Sequence, residues 1–264
     1  MAGIDDPIVA PAPAEVHLEH APLVRVIAQV RFPLVVAVEQ RDFVAGFQEA
    51  IRPKYPVLRQ ELIGAVAVGP AAVAPAPPQT VWRFGDLEGH WRVSLAPDFL
   101  ALETTAYSSR SDFLLRLRDV AAALDDHVGP KLIDRLGVRY IDRIAGQAVD
   151  EIKRLVRSEL RGIVGTPADA HALHVLSESI FAIDGARVLA RWGRLPAGQS
   201  VDPSAIEPTG EISWILDIDM FSSESVPFTV DYIVDNAERF AERIYTFFRW
   251  AVTEDFLREY GGKP

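Results

Sequence analysis

The sequence predicts an α+β fold made of two tandem copies of a strand–helix–antiparallel sheet–helix unit. Three observations carry this. Val24-Arg25-Val26-Ile27-Ala28-Gln29-Val30 reads V-R-x-I-x-x-V, and Val138-Arg139-Tyr140-Ile141-Asp142-Arg143-Ile144 reads V-R-x-I-x-x-I. Each is strand-like and is followed by an acidic-start amphipathic helix, a group of strands and a second helix. The chain has 264 residues, 49% of them hydrophobic and 24% charged, enough to bury a sizeable core as one large domain or two small ones.

Residues 1–21 carry Pro7, Pro11 and Pro13 among small residues and read as a loose, extended arm. The first unit spans 22–130. Its opening strand, Leu23–Phe32, partly alternates apolar with polar residues. Asp42 is placed to cap a helix through Ile51 that Pro53 terminates. Leu58–Val68 reads as a strand, and Gly69 through Pro78, rich in Pro and Ala, as an exposed loop. Val81–Phe84 and Trp91–Leu95 flank a hairpin connection at Asp86-Leu87-Glu88-Gly89, and Phe99–Tyr107 follows. Ser111 or Asp112 caps a helix to about Val128, with Phe113, Leu117, Val120, Ala121 and Leu124 on one face.

The second unit spans 131–264. It opens with the strand Leu136–Ile144, then a helix from Asp150 to about Val164. Leu173–Ile183 and Arg187–Leu195 flank the turn signal Asp184-Gly185. Residues 196–210 form a loop, and Ile212–Phe221 a strand carrying Asp217 and Asp219 on one face. A long helix from about Asp231 to Glu259 closes the unit, with an apolar stripe through Phe240, Ile244, Phe247 and Ala251. The element order resembles that of the TATA-binding protein core and of helix-grip ligand carriers, a likeness of order that carries no function.

Several function classes are disfavoured. The charge of −10 argues against a direct nucleic-acid binder that works by neutralising phosphates. With no cysteine there is no disulfide framework, thiol nucleophile or Cys-ligated zinc. No apolar run approaches the roughly 18 residues that span a bilayer, and the N-terminus lacks the basic start of a secretory signal. The expectation is a cytoplasmic chain with no membrane partner. Its only lysines, Lys54, Lys131, Lys153 and Lys263, against many arginines, suggest a high-GC bacterial source.

The stretches Ala21–Phe32 and Leu136–Ile144, Phe47-Gln48-Glu49 with Tyr55-Pro56, and the tail Phe247–Phe256 with Thr253-Glu254 together resemble a sporadically distributed family of bacterial and archaeal proteins of about this length. The resemblance covers nearly the whole chain from about Leu18. That family has no assigned activity, cofactor or catalytic residue, so none carries over. Its patchy distribution implies accessory genes, such as those for defence or toxin–antitoxin components. Where the family often has Asn, this chain has Asp142.

No residue pattern points firmly to chemistry. His17/His20 and His171/His174 have metal-compatible spacing, but residues three apart on a strand face opposite sides, and solvated histidines are favoured. Asp125-Asp126-His127 lacks the G-x-S-x-G nucleophile that a hydrolytic relay needs. Asp217 and Asp219 have the side-by-side placement of an acid–base pair, for which an exposed sheet face is the commoner explanation. Trp82, Trp91, Trp192 and Trp214 fall on strands, where core packing is favoured over base stacking. No Gly-rich phosphate loop is present.

Arg25, Arg31, Arg139 and Arg143 decorate the two matched strands and suit either bidentate binding of an anion or acidic partner, or pairing with acids on neighbouring strands. With Asp142 they form the candidate ligand- or partner-binding set; no catalytic residue, metal or cofactor is expected. The chain reads as a non-enzymatic binding or interaction protein with a protein partner or a second copy of itself, antitoxin-like or defence-associated. The alternative is a small-molecule binder or enzyme using a pocket between the sheet and the long helix.

Overall fold

The computed structural model describes residues 4–68, 73–183 and 185–263. Helices and a large antiparallel sheet share the chain, as an α+β fold requires. Contacts divide it into two compact units that interleave along the sequence rather than meeting near residue 130. One is Ile27–Gly137 with Ser222–Glu238; the other is Met1–Val26 with Val138–Phe221 and Arg239–Pro264. The division falls inside two strands, β1 (Leu23–Arg31) and β7 (Arg135–Ala145), and inside the long helix α5 (Val230–Ala251).

The unit centred on residues 27–137 contains α1 (Arg41–Ile51), β2 (Val57–Val68), β3 (Val73–Gly85), β4 (Trp91–Ala96), β5 (Phe99–Thr104) and α2 (Arg110–His127). Its strand order is β2-β3-β4-β5-β1. The β3–β4 hairpin forms where Asp86 and Gly89 stand: Asp86 accepts the Trp91 N–H at 3.1 Å and Gly89 takes φ +75°. Pairing puts Trp82 opposite Leu95, and Phe84 opposite Val93, on one face. The α1 residue Phe47 packs edge-on to Phe84 at 5.5 Å, and Trp82 donates to the Val38 carbonyl at 2.8 Å. Gly46 lets α1 approach α2, since a Cβ there would lie 2.7 Å from His127 Nδ1. The cap of α2 is Ser109, which accepts the Asp112 N–H and stands two residues before Ser111. A two-stranded ribbon pairs β6 (Leu132–Ile133) with β11 (Val226–Pro227).

Two expectations here are corrected. The α1 cap position is Gln40 with no side-chain bond, and Asp42 lies within the first turn. The loop expected at 69–78 is strand from Val73 onward, because Val66 pairs with Pro75 and Val68 with Val73; the ladder tolerates the prolines of β3. The remainder of that expected loop, 69–72, lies outside the described residues, as does Asp184 of the turn signal Asp184-Gly185.

The other unit orders its strands β7-β10-β9-β8, with β8 (Val175–Ile183), β9 (Ala186–Leu195) and β10 (Ser213–Ser222). Trp214, Leu216, Ile218 and Met220 of β10 are buried, as are Phe240, Ile244 and Phe247 of α5. The arm is extended but not loose. Arg243 donates to the carbonyls of Pro7 and Ala10 at 3.1 and 2.7 Å, and Val16 donates to Tyr245 Oη at 2.7 Å. Three prolines keep the arm open-backed, so its carbonyls are met by side chains of α5 rather than by a neighbouring strand.

The helix expected over 150–164 is instead a run of short turns, including α3 (Ile152–Leu155) and α4 (Ser158–Arg161). Val156 takes extended backbone and bridges Val252, while Gly162 adopts φ +57°. That same bridge breaks the expected final helix after Ala251. Thr253 then caps α6 (Glu254–Glu259), accepting the Phe256 N–H and donating to the Arg154 carbonyl at 2.7 Å. The two halves of α5 belong to different units. Its first turns join the unit of residues 27–137, where Asp231 meets Arg118 at 2.6 Å, and its second half joins the unit of residues 138–221.

Gly193 has φ +148°, and a Cβ there would run into the Val175 carbonyl. Gly193→Ala is expected to destabilise the protein by on the order of 3 kcal/mol, read as a lowered urea midpoint; an unchanged midpoint would contradict the close approach of β9 to β8.

Candidate functional site

The candidate residues on β7 are fixed by strand alternation. Val138, Ile141 and Ile144 are buried, which commits the strand to packing on both faces and leaves its polar residues to find partners inside. Arg139 finds them in Asp217 and Asp202. Its Nε and Nη2 donate to the two oxygens of Asp217 at 2.7 and 2.9 Å, and its Nη1 to Asp202 at 2.7 Å. This is the bidentate geometry that suits a guanidinium to a carboxylate. Burial opposes the charge on Arg139, but the hydrogen bonds and charges of Asp217 and Asp202 outweigh it and raise its pKa. Burial likewise resists ionisation of Asp202; bonds from Ser204 and Arg139 overcome it and hold its pKa below the usual carboxylate range.

The contacts continue across the strands. Asp217, with 1% of its side chain exposed, lies 3.5 Å from Arg191 Nε, and Arg191 lies 3.6 Å from Glu178, its register partner on β8. Arg139, Asp217, Arg191 and Glu178 thus form a row of alternating charge over β7, β10, β9 and β8. The sequence reading missed Arg191, Glu178 and Asp202. Placing Glu178 opposite Arg191 in the hairpin was the one signal that could have found part of the row.

Arg143 has a different environment. Its Nη2 donates to the Glu207 carbonyl at 2.5 Å, its backbone N–H to the Pro22 carbonyl at 2.8 Å, and its Nε is buried without a hydrogen-bond partner. Burial lowers its pKa. Arg139 and Arg143 therefore grip the same loop, 196–212, through Asp202 and Glu207. That loop buries Ala205 and Ile206 and is tied internally by Ser200, which donates to the Ile206 carbonyl at 2.6 Å.

The remaining candidates are dispersed. Arg25 is half-buried on β1 and engaged with neighbouring groups. Arg31 lies in the other unit, 48% exposed, 3.5 Å from Asp98 and beside Gln29. Asp142 is 7% exposed, with no hydrogen bond or ion pair to its carboxyl among the described residues. Burial pushes its pKa up to about 7. Tyr260 is close enough to feel it: burial first, then the charges of Glu259 and Asp142, raise the phenol's pKa.

Among the described residues, the side chains that bring metal-ligand atoms together are Asp86, Glu88 and His90, within 4.8 Å of one another on the β3–β4 hairpin. They are largely exposed, and Asp86 already accepts the Trp91 N–H. The histidine pairs 17/20 and 171/174 form no such group there. Trp82 and Trp214 are core residues, and Trp91 carries Arg116 4.3 Å above its ring. Among the described residues, no helix is long and apolar enough to cross a membrane. Comparison with known protein families and with curated proteins finds no match.

Two outcomes are expected. Arg139→Ala leaves Asp217 buried beside a single, more distant guanidinium, so unfolding free energy should fall by about 3–5 kcal/mol. Arg143→Ala, losing one bond to a carbonyl, should cost about 1 kcal/mol. Equal losses in chemical denaturation would contradict this ranking.

The second concerns Asp142, whose carboxyl ionises near 3.8 when exposed and near 7 when folded. Its contribution to stability is therefore greatest below about pH 4, is lost as pH rises through the window to about 7, and stays lost above it. The shift corresponds to roughly 4 kcal/mol. Asp142→Asn should remove this slope, so the variant gains on the parent between pH 5 and pH 8 in urea unfolding; parallel pH profiles would refute it.

Proposed function

We propose that this chain is a non-enzymatic interaction protein. The observation that carries the reading is the state of β8, the end strand of its unit. Leu176, Glu178, Ile180 and Ala182 are exposed in alternation, with Ile180 62% and Leu176 42% accessible. A long end strand with exposed aliphatic residues and an unpaired backbone edge is a template for strand addition by a partner, and monomers normally blunt such edges. The arginines that suggested an anion site support the same reading, because Arg139 is consumed by Asp217 and Asp202.

The two strand orders also support the duplicated-unit reading. Next to β1 stand β5, β4, β3 and β2; next to β7 stand β10, β9 and β8. In both, the opening strand is followed by the others in reverse chain order. An antitoxin-like or defence-associated role, which the family resemblance implies, suits an edge that accepts a partner's strand.

One observation favours a second reading. Asp142, a buried carboxyl beside Tyr260 with no partner of its own, is what a small cationic or hydrogen-bond-donating ligand would neutralise. A ligand bound there would raise the melting temperature of the parent and not of Asp142→Asn.

The interaction reading is tested by capture from the native source with the parent and with Leu176→Lys/Ile180→Lys, both checked for parental melting. A stoichiometric partner that binds the variant at least about tenfold more weakly is expected. A partner retained equally by both proteins, or a parent that neither captures a partner nor self-associates, would overturn it.

A further inference from the structure

β2 ends the strand order of its unit, as β8 ends the other. Its pairing with β3 is regular from Val57 opposite Gly85 to Ile63 opposite Gln79, and the register then slips between Ile63 and Ala65. The regular stretch is Val57-Leu58-Arg59-Gln60-Glu61-Leu62-Ile63, with Gln60 at its centre. Its outer edge is open: Leu62 is 70% exposed, Ile63 39% and Val57 36%, and Arg59 and Glu61 are exposed.

This stretch is complementary to itself. Two copies laid antiparallel about a two-fold axis at Gln60 place Arg59 opposite Glu61 twice, Leu58 opposite Leu62 twice, and Val57 opposite Ile63 twice. Opposite residues on an antiparallel pair are near neighbours, so unlike charges and matched aliphatics face one another throughout. An isologous contact of this kind closes as a dimer. Leu58, Gln60 and Leu62 lie opposite Phe84, Trp82 and Thr80 on β3, so the leucine pairs would extend the apolar face that α1 and α2 already use. Glu61, already 3.1 Å from Arg83, would sit between two guanidiniums. The β8 edge lacks this symmetry. Its one charge is Glu178, and pairing about Ser179 sets it against Ile180.

We infer that β2 is a homodimer edge: a second copy of this chain adds its own β2, antiparallel and centred on Gln60, continuing the sheet of the unit. The inference rests on the reading of the chain as an interaction protein and names one of its partners. A seven-residue strand pair is small beside the roughly 1,600 Å² of a standard interface, so the dimer is expected to be concentration-dependent.

Sedimentation velocity from about 1 μM to about 300 μM tests it. The parent is expected to shift from monomer to dimer over this range. Arg59→Glu and Glu61→Arg each set like charges opposite one another, and each should weaken self-association about tenfold or more. An equimolar mixture of the two variants should recover a dimer, because unlike charges then face each other across the pair. Arg59→Glu leaves the Glu61–Arg83 pair in place. Should Glu61→Arg lose its fold, Leu62→Lys, which touches no ion pair, replaces it as the second disruption. A parent that stays monomeric, variants as dimeric as the parent, or a mixture that stays monomeric would each overturn the proposal. Partner capture through β8 is unaffected by the β2 substitutions, so its loss would fail the interaction reading separately.

Discussion

Asp217 is a carboxylate with 1% of its side chain exposed, and two guanidinium groups meet it. Arg139 binds both of its oxygens, and Arg191 approaches from the next strand. A buried charge without such partners costs several kcal/mol, so this contact fixes more than two side chains. It ties the neighbouring strands β7 and β10 together through their side chains. It also leaves one amine of Arg139 for Asp202, and so seats the loop 196–212 over the strands. Ala205 and Ile206 follow Asp202 into the interior. The same contacts occupy the Arg139 guanidinium, so its donors are spent within the fold.

What is left accessible is backbone. In each unit the opening strand lies at one end of the order, and the last-placed strands, β2 and β8, face outward. Both carry aliphatic side chains that solvent reaches, and both are too long to be passed over as frayed ends. They differ in character. The β2 edge pairs a cation with an anion about its own centre, and the β8 edge does not, so the first suits a copy of itself and the second a different strand.

The parts of this fold legible in the sequence are those decided by local pattern. Alternation located β1 and β10, and the repeated V-R-x-I pattern located β7. Asp86 through Gly89 marked a hairpin, and the spacing of Phe113, Leu117, Val120 and Leu124 marked α2. The parts that were not legible are decided by distant contacts. Residues 150–164 have helical periodicity, but Val156 is pulled into a bridge with Val252 and breaks the helix, and the same bridge ends α5. The proline-rich segment around Pro75 reads as loop, yet β2 pairs with it, Val66 opposite Pro75. The arm reads as loose because nothing near it in sequence can bind its carbonyls; Arg243 and Tyr245 do so from more than two hundred residues away. For the site, arginine and aspartate could be named but not joined, since the partners Asp202, Glu207 and Arg191 come from a loop and a strand whose placement local pattern does not fix. The burial of Asp142 was equally invisible, because nothing local in the sequence says what covers its face of β7.

The account turns on Arg139 and Asp217 acting as one structural unit. A double-mutant cycle with Arg139→Met and Asp217→Leu, read by chemical denaturation, measures that directly. The account predicts a coupling of about 2 kcal/mol or more, with the double variant more stable than either single one. A coupling near zero, with Arg139→Met as stable as the parent, would show that the arginine is not held by Asp217 and would return it to the surface as a free anion receptor.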